Sequence, residues 1–321
     1  MSQIEKPIGK VVVPLASASL ASGMRDSKGF ENQCNYLEDN GIPSVVVLGR
    51  TGGLEHAVGA DRHTPFYIRK SFMGNMFVCV GDSSKRNQHG YFPAKTLIQN
   101  HISTAKMYQA DGIVVPTLFY GPEDYDDCPK EDNMVDYFYD VFDMARERDL
   151  PVILYNNPAM TGREIPLDRV MEFAKKDIVV AIKDSSGDMK YFDTLIALRD
   201  RQGLDLGIYQ GSETLASWSM RIGADGIVPS TANLLPNLFL DLVEHPNDGA
   251  LQEMVNELGK TIYRGESEYS DAYAGLRFAL WEAGIHTDPK NFYIQTLTEQ
   301  EKKAISKVVQ EVRDRHEPSN I

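Results

Sequence analysis

The sequence predicts an α/β fold, a (β/α)8 TIM barrel with a C-terminal helical extension. Eight short β-branched runs recur between residues 11 and 228. Each is apolar throughout rather than alternating with polar residues, the pattern of strands buried on both faces of a parallel sheet. The runs are spaced by roughly 20–40 residues, the length of a βα unit, and past His245-Pro246-Asn247 only helical patterns remain.

In order, the runs are Val11 to Val13, Ser44 to Leu48, Met76 to Val80, Gly112 to Val115, Pro151 to Leu154, Ile178 to Ile182, Leu206 to Tyr209 and Gly226 to Val228. Helices are expected between them. Phe30 to Asn40 stops at Gly41, a suitable C-terminal residue. Thr96 to Gln109 and Asn133 to Arg148 carry apolar residues at helical spacing, and Pro166 suits a first helical turn. Asp188 to Arg199, Ser212 to Ile222 and Leu235 to Val243 complete the barrel. Leu251 to Arg264, Ser270 to Ala283 and Glu299 to His316 form the extension. The expected division is 1–245 for the barrel and 246–321 for helices packed on it as one structural unit. A doubly wound sheet is the alternative, but no G-x-G-x-x-G turn follows any strand.

At 321 residues the chain can bury a large core without disulfides or metals. Cys34, Cys79 and Cys128 are odd in number and far apart, which fits a reducing, cytoplasmic setting. The first ten residues do not read as a signal peptide, and no window reaches membrane-span length. The net charge of −13, with no compensating basic cluster, argues against nucleic-acid or anionic-membrane partners. A small carboxylic acid would need donors and positive charge supplied by its own pocket.

Active sites of such barrels lie at the C-terminal ends of the strands. The sixth run ends at Lys183, directly after four apolar residues. Desolvation there favours the neutral amine that attacks a ketone, and the resulting protonated imine is an electron sink for carbon–carbon cleavage. A lysine snorkelling at a strand end or paired with Asp184 would look the same. The fifth run ends at Tyr155, on the neighbouring strand at matching height, where a phenol can shuttle protons or simply cap the core. After the second run, Gly49-Arg50-Thr51-Gly52-Gly53 resembles an anion-binding turn at a helix N-terminus. Thr51 would add a hydroxyl donor and Arg50 a bidentate guanidinium; a plain tight turn with Arg50 in solvent is the alternative.

Together these segments resemble the dihydrodipicolinate synthase/N-acetylneuraminate lyase family of Schiff-base aldolases. The matching motifs are Tyr155-Asn156-Asn157-Pro158 with Thr161-Gly162, and Ile182-Lys183-Asp184-Ser185-Ser186-Gly187-Asp188. Gly211-Ser212-Glu213, Gly223 to Asn233 and the Gly-x-Thr-Gly turn also match. The resemblance spans nearly all of the chain from Gly9 on. It implies that Lys183 forms an imine with pyruvate or the pyruvyl part of a longer 2-oxo acid. It further implies that Tyr155 relays protons, that Thr51 and Gly52 hold the carboxylate, and that the backbone of Ile227 borders the imine. It implies a homo-oligomer, a tetramer or dimer, and no cofactor.

The chain departs from the family at four places. Arg50 stands where a hydroxyl residue often helps the relay, and Gly53 replaces a glutamate. Tyr120 takes the place of a Tyr-Tyr pair after the fourth strand as a candidate substrate contact. Met160 replaces the arginine that binds a second carboxylate in dihydrodipicolinate synthases, a pairing a thioether cannot make. The balance moves toward cleavage of a 2-oxo-3-deoxy sugar acid to pyruvate and an aldehyde. A dehydratase or dihydrodipicolinate synthase using the same imine, and a non-catalytic pyruvate-binding relative, are the alternatives. A metal-dependent aldolase is disfavoured because the seven histidines show no paired ligand spacing.

Overall fold

The computed structural model describes residues 8–20, 25–52, 63–80, 94–117, 132–263, 272–288 and 296–316. Eight parallel strands follow in chain order around one sheet: β1 Val12–Pro14, β2 Ser44–Val47, β3 Asn75–Cys79, β4 Gly112–Pro116, β5 Val152–Asn156, β6 Val179–Asp184, β7 Gly207–Gln210 and β8 Gly226–Ile227. The ring closes where Val11 bridges Ile227 in parallel and the Ile227 N–H donates to the Lys10 carbonyl at 2.8 Å. Only glycine fits at 226, since an added Cβ would lie 2.4 Å from that carbonyl oxygen. The expected (β/α)8 barrel is therefore the observed fold.

Successive strand residues point to opposite faces, and the core divides accordingly. Val12, Val46, Phe77, Val114, Ile153, Ala181 and Tyr209 fill the barrel interior. Val11, Val13, Val45, Val47, Val78, Val115, Leu154 and Ile182 pack outward against the helices. Burial on both faces explains why the strands read as continuous apolar runs.

The barrel's helices are α1 Ser27–Asp39, α2 Thr64–Ser71, α3 Ala94–Met107, α4 Asp132–Arg146, α5 Pro158–Thr161, α6 Leu167–Phe173, α7 Met189–Gln202, α8 Ala216–Arg221 and α9 Pro236–Glu244. Then come α10 Gly249–Ile262, α11 Ala274–Glu282 and α12 Glu299–His316. Two short helices, α2 and α5, each opened by a proline in the first turn, are absent from the sequence reading. The stretch read as one helix from Ser212 is a 3-10 turn, Glu213–Leu215, followed by α8. Side-chain caps set the ends: Asp26 receives the Gly29 N–H, Asp188 those of Lys190 and Tyr191, and Asp248 that of Ala250. Gly41 and Gly203 take positive φ just past their helices.

Asn233 pins the seam between first and last strands. Its Oδ1 accepts from Ala16 N–H and Gln33 Nε2, and its Nδ2 donates to the Pro14 and Ser230 carbonyls. No described helix is long and apolar enough to cross a membrane.

Candidate active site

The two-residue period of a strand places the site. Ala181 faces the interior, so Lys183, two residues on, faces it as well; Ile153 and Phe77 place Tyr155 and Cys79 likewise. Lys183 stands beside Tyr155 in the β5–β6 register and beside Tyr209 in the β6–β7 register. Its Nζ lies 4.4 Å from the centroid of the Tyr155 ring, a close cation–π distance.

The pairing with Asp184 left open for Lys183 is not made. Asp184 is fully buried and engaged elsewhere: Asn156 Nδ2 donates to its Oδ1 at 2.7 Å and Ser186 Oγ to its Oδ2 at 2.9 Å. Among the described residues no carboxylate lies within ion-pair distance of Lys183. Lys183 is half-buried, so its desolvation is partial. Beside it, burial pushes the Cys79 thiol up to about 12 against the opposing charge of Lys183. That thiol is neutral and gives the amine no opposing charge.

The Tyr-Asn-Asn-Pro motif has a local mechanical explanation. Asn157 caps α5 with its Oδ1 on the Met160 N–H at 3.2 Å, Pro158 opens the helix, and Gly162 ends it at φ 73°. So fixed, Asn157 directs its Nδ2 to the Tyr155 hydroxyl at 2.9 Å. An amide donor on the phenol oxygen leaves the phenol proton to be given elsewhere. Asn156 meanwhile accepts the Ile165 N–H at 3.0 Å while holding Asp184. Sequence reasoning quoted both asparagines and assigned neither a task; an asparagine before proline is the signal for a cap.

The turn after β2 is shaped by Leu48, whose φ of 61° is uncommon for a non-glycine residue. Helix α2 begins only at Thr64, so Gly49–Gly52 is not the N-terminal turn of that helix. Ser17 Oγ donates to the Gly52 carbonyl, and Arg277 Nη2 to the Thr51 carbonyl at 3.3 Å. An anion site built of backbone amides needs its carbonyls turned elsewhere, and these two are engaged. At Gly52 a Cβ would press on the Leu15 carbonyl oxygen at 3.2 Å.

Four groups from outside the predicted set complete this end. Ser230 Oγ lies 2.7 Å from Thr51 Oγ1. Tyr273, at the start of α11, stands by the Thr51 side chain, with Arg50 and Tyr155 near enough to act on its ionisation. Arg277 is 1% exposed and brings a buried positive charge to the turn, the local cation that an acidic protein must supply for an anionic ligand. An arginine inside the apolar run Gly275 to Leu280 was its sequence signal. Tyr263 stands beside Ser230 and donates to Glu213.

The Ile227 side chain packs outward with the helix-facing cluster, leaving only its backbone to border the interior. Met160 is buried among the interior apolar residues beside Tyr155. Tyr120, Gly53 and Cys128 lie outside the described residues. Among the described residues no three His, Cys, Asp or Glu side chains gather as a metal site.

The sequence from 100 to 312 matches the model of the dihydrodipicolinate synthetase family. The chain belongs to that family. The 4-hydroxy-tetrahydrodipicolinate synthase of Oceanobacillus iheyensis is 26% identical over 77% of this chain and 78% of that protein. A catalytic-lysine mutant of the Ruminococcus gnavus sialic acid aldolase shares the fold at TM-score 0.79 and 17% identity, covering 96% of each chain. A family member from E. coli K12, a prophage protein solved with pyruvate, superposes at TM-score 0.78 and 19% identity over 96% of this chain and 99% of that one. Membership in this family carries the broad class of Schiff-base lyase.

Proposed function

We propose that the protein is a pyruvate-dependent class I aldolase, cleaving a 2-oxo-3-deoxy sugar acid or a related 2-oxo acid to pyruvate and an aldehyde. The observation that carries this reading is the inward-facing Lys183, its Nζ 4.4 Å from the Tyr155 ring and with no carboxylate partner among the described residues. The amine attacks the substrate ketone, and loss of water leaves a protonated imine. Tyr155, having given its phenol proton to the departing water, takes the C4 hydroxyl proton in its place, the C3–C4 bond breaks, and its electron pair flows into the imine to give an enamine. Protonation at C3 and hydrolysis release pyruvate and return the amine. The amides of Thr51 and Gly52, backed by Arg277, receive the carboxylate.

Pyruvate bound to the E. coli relative supports the choice of electrophile. The name of the Oceanobacillus relative favours dihydrodipicolinate synthesis as the second reading; the buried, apolar Met160 stands against it. A dehydratase would use the same imine. Borohydride reduction with pyruvate should add one reduced pyruvyl group at Lys183. Absence of the adduct, or its persistence in Lys183→Ala, refutes the imine. A panel of 2-oxo acids then separates the readings: aldehyde release marks an aldolase, loss of water without cleavage a dehydratase.

A further inference from the structure

Tyr155 and Asn157 stand two residues apart and meet at the phenol oxygen. Both are buried, each 4% exposed, and Asn157 Nδ2 donates to Tyr155 Oη at 2.9 Å. The orientation of the amide follows from its other end. Asn157 Oδ1 and the Asn157 backbone carbonyl share the Met160 N–H, at 3.2 and 3.0 Å. Turned over, the amide would set its NH2 group against that donor. The same carbonyl receives the Thr161 N–H at 3.0 Å and the Thr161 hydroxyl at 3.1 Å, so α5 holds both the backbone and the side chain of Asn157.

This bond has one direction. An amide NH2 group donates and does not accept, so the Tyr155 oxygen accepts from Asn157 and keeps its own proton for another partner. Among the described residues no group receives that proton. Lys183 Nζ lies 4.4 Å from the centroid of the same ring, which puts the uncommitted proton next to the amine where the imine forms.

We propose that Asn157 is the positioning residue of the proton transfer: its amide holds Tyr155 as a donor toward the substrate and stabilises the phenolate left behind. The inference rests on the imine reading above. Once the amine has added to the ketone, the Tyr155 proton passes to the carbinolamine oxygen. The C2–O bond breaks with its electron pair going to the departing water, and the nitrogen lone pair becomes the C=N bond. Tyr155 is then a buried phenolate, and a buried anion without a donor is costly. A hydrogen bond to the charged form favours that form, and the Asn157 amide is already in place to supply it. When the phenolate takes a proton from the substrate, the neutral pair is restored. Asn157 touches no reacting atom and acts through Tyr155.

The test compares wild type, Asn157→Asp and Asn157→Ser. Aspartate and serine cap a helix about as well as asparagine, so both keep the Met160 bond. A carboxylate only accepts, so aspartate draws the Tyr155 proton to itself and reverses the bond, while serine has no amide to offer the phenol. Each protein is mixed with pyruvate, borohydride is added after timed intervals, and mass spectrometry follows the reduced pyruvyl group at Lys183. Three quantities are read: the rate of imine formation at saturating pyruvate, the pyruvate concentration giving half that rate, and the final fraction trapped. Positioned acid–base groups contribute about 100-fold or more, so the rate should fall at least about tenfold in both variants, with the other two quantities within about twofold of wild type. A role confined to capping would leave all three unchanged in Asn157→Asp. Imine formation at the wild-type rate in either variant overturns the proposal, as does a fall in rate matched by an equal fall in the fraction trapped. Loss of the melting transition in both variants overturns it too, because the residue would then serve the fold. Failure of wild type to trap pyruvate refutes the imine itself.

Discussion

His286 gives the extension a pH-dependent hold on the barrel. The imidazole is buried beside α1, where its Nε2 meets Gln33 Oε1 at 3.4 Å, and Gln33 in turn donates to the Asn233 seam. Burial first, and then the Arg277 charge, lower its pKa from 6.5 to about 3 against the opposing pull of Asp26. Between those values the unfolded chain binds a proton that the folded chain refuses, so this contribution to stability is complete above pH 6.5 and drains away as pH falls. At about 1.4 kcal/mol per pKa unit the limit is about 5 kcal/mol, with about half of it already lost on going from pH 7 to 4.5. Replacing His286 with glutamine keeps an N–H donor for Gln33 and removes the titration. Denaturant unfolding of wild type and His286→Gln at pH 7, 6, 5 and 4.5 measures the difference. The variant should gain about 2–3 kcal/mol relative to wild type across that range. A difference independent of pH would refute the assignment of a buried neutral imidazole.

Asp184 carries the opposite sign. Burial raises its pKa from 3.8 to about 6 despite the bonds from Asn156 and Ser186, so its penalty is absent below pH 3.8 and full above pH 6. Asp184→Asn should therefore improve by about 2 kcal/mol relative to wild type as pH rises from 4.5 to 7, and a flat or falling difference in unfolding free energy would contradict this. Burial pushes the Cys34 and Cys79 thiols up to about 12, so in a Cys128→Ser protein neither should react with an aromatic disulfide reagent at pH 8 until denaturant is added. Rapid labelling of the native protein would show that the barrel interior is open. Gly275 packs α11 on the end of α10, where an added Cβ would lie 2.3 Å from the Ile262 carbonyl oxygen. Gly275→Ala should destabilise by about 1–3 kcal/mol and weaken pyruvate trapping, because α11 carries Tyr273 and Arg277 to the turn; unchanged melting and trapping would disprove that coupling.

The barrel was legible in the sequence because burial on both sheet faces demands continuous apolar runs, and those runs recur in phase with the helices. Lys183 and Tyr155 were legible for the same reason: each is the polar residue at which an apolar run stops, and strand alternation turns both inward. The one-turn helix α5 was not, since its capping asparagine and its proline read as a loop until the Met160 and Tyr155 bonds are seen. Thr51 was marked by its glycine-rich turn, yet the groups that meet its hydroxyl, Ser230 and Tyr273, come from up to 222 residues away in the chain. The sequence by itself determined the strands, the inward lysine and tyrosine, and the family. Only the tertiary structure decided what stands behind them, because hydrogen bonds between distant hydroxyls leave no periodic trace, and a buried arginine or histidine is defined by the segments that close over it.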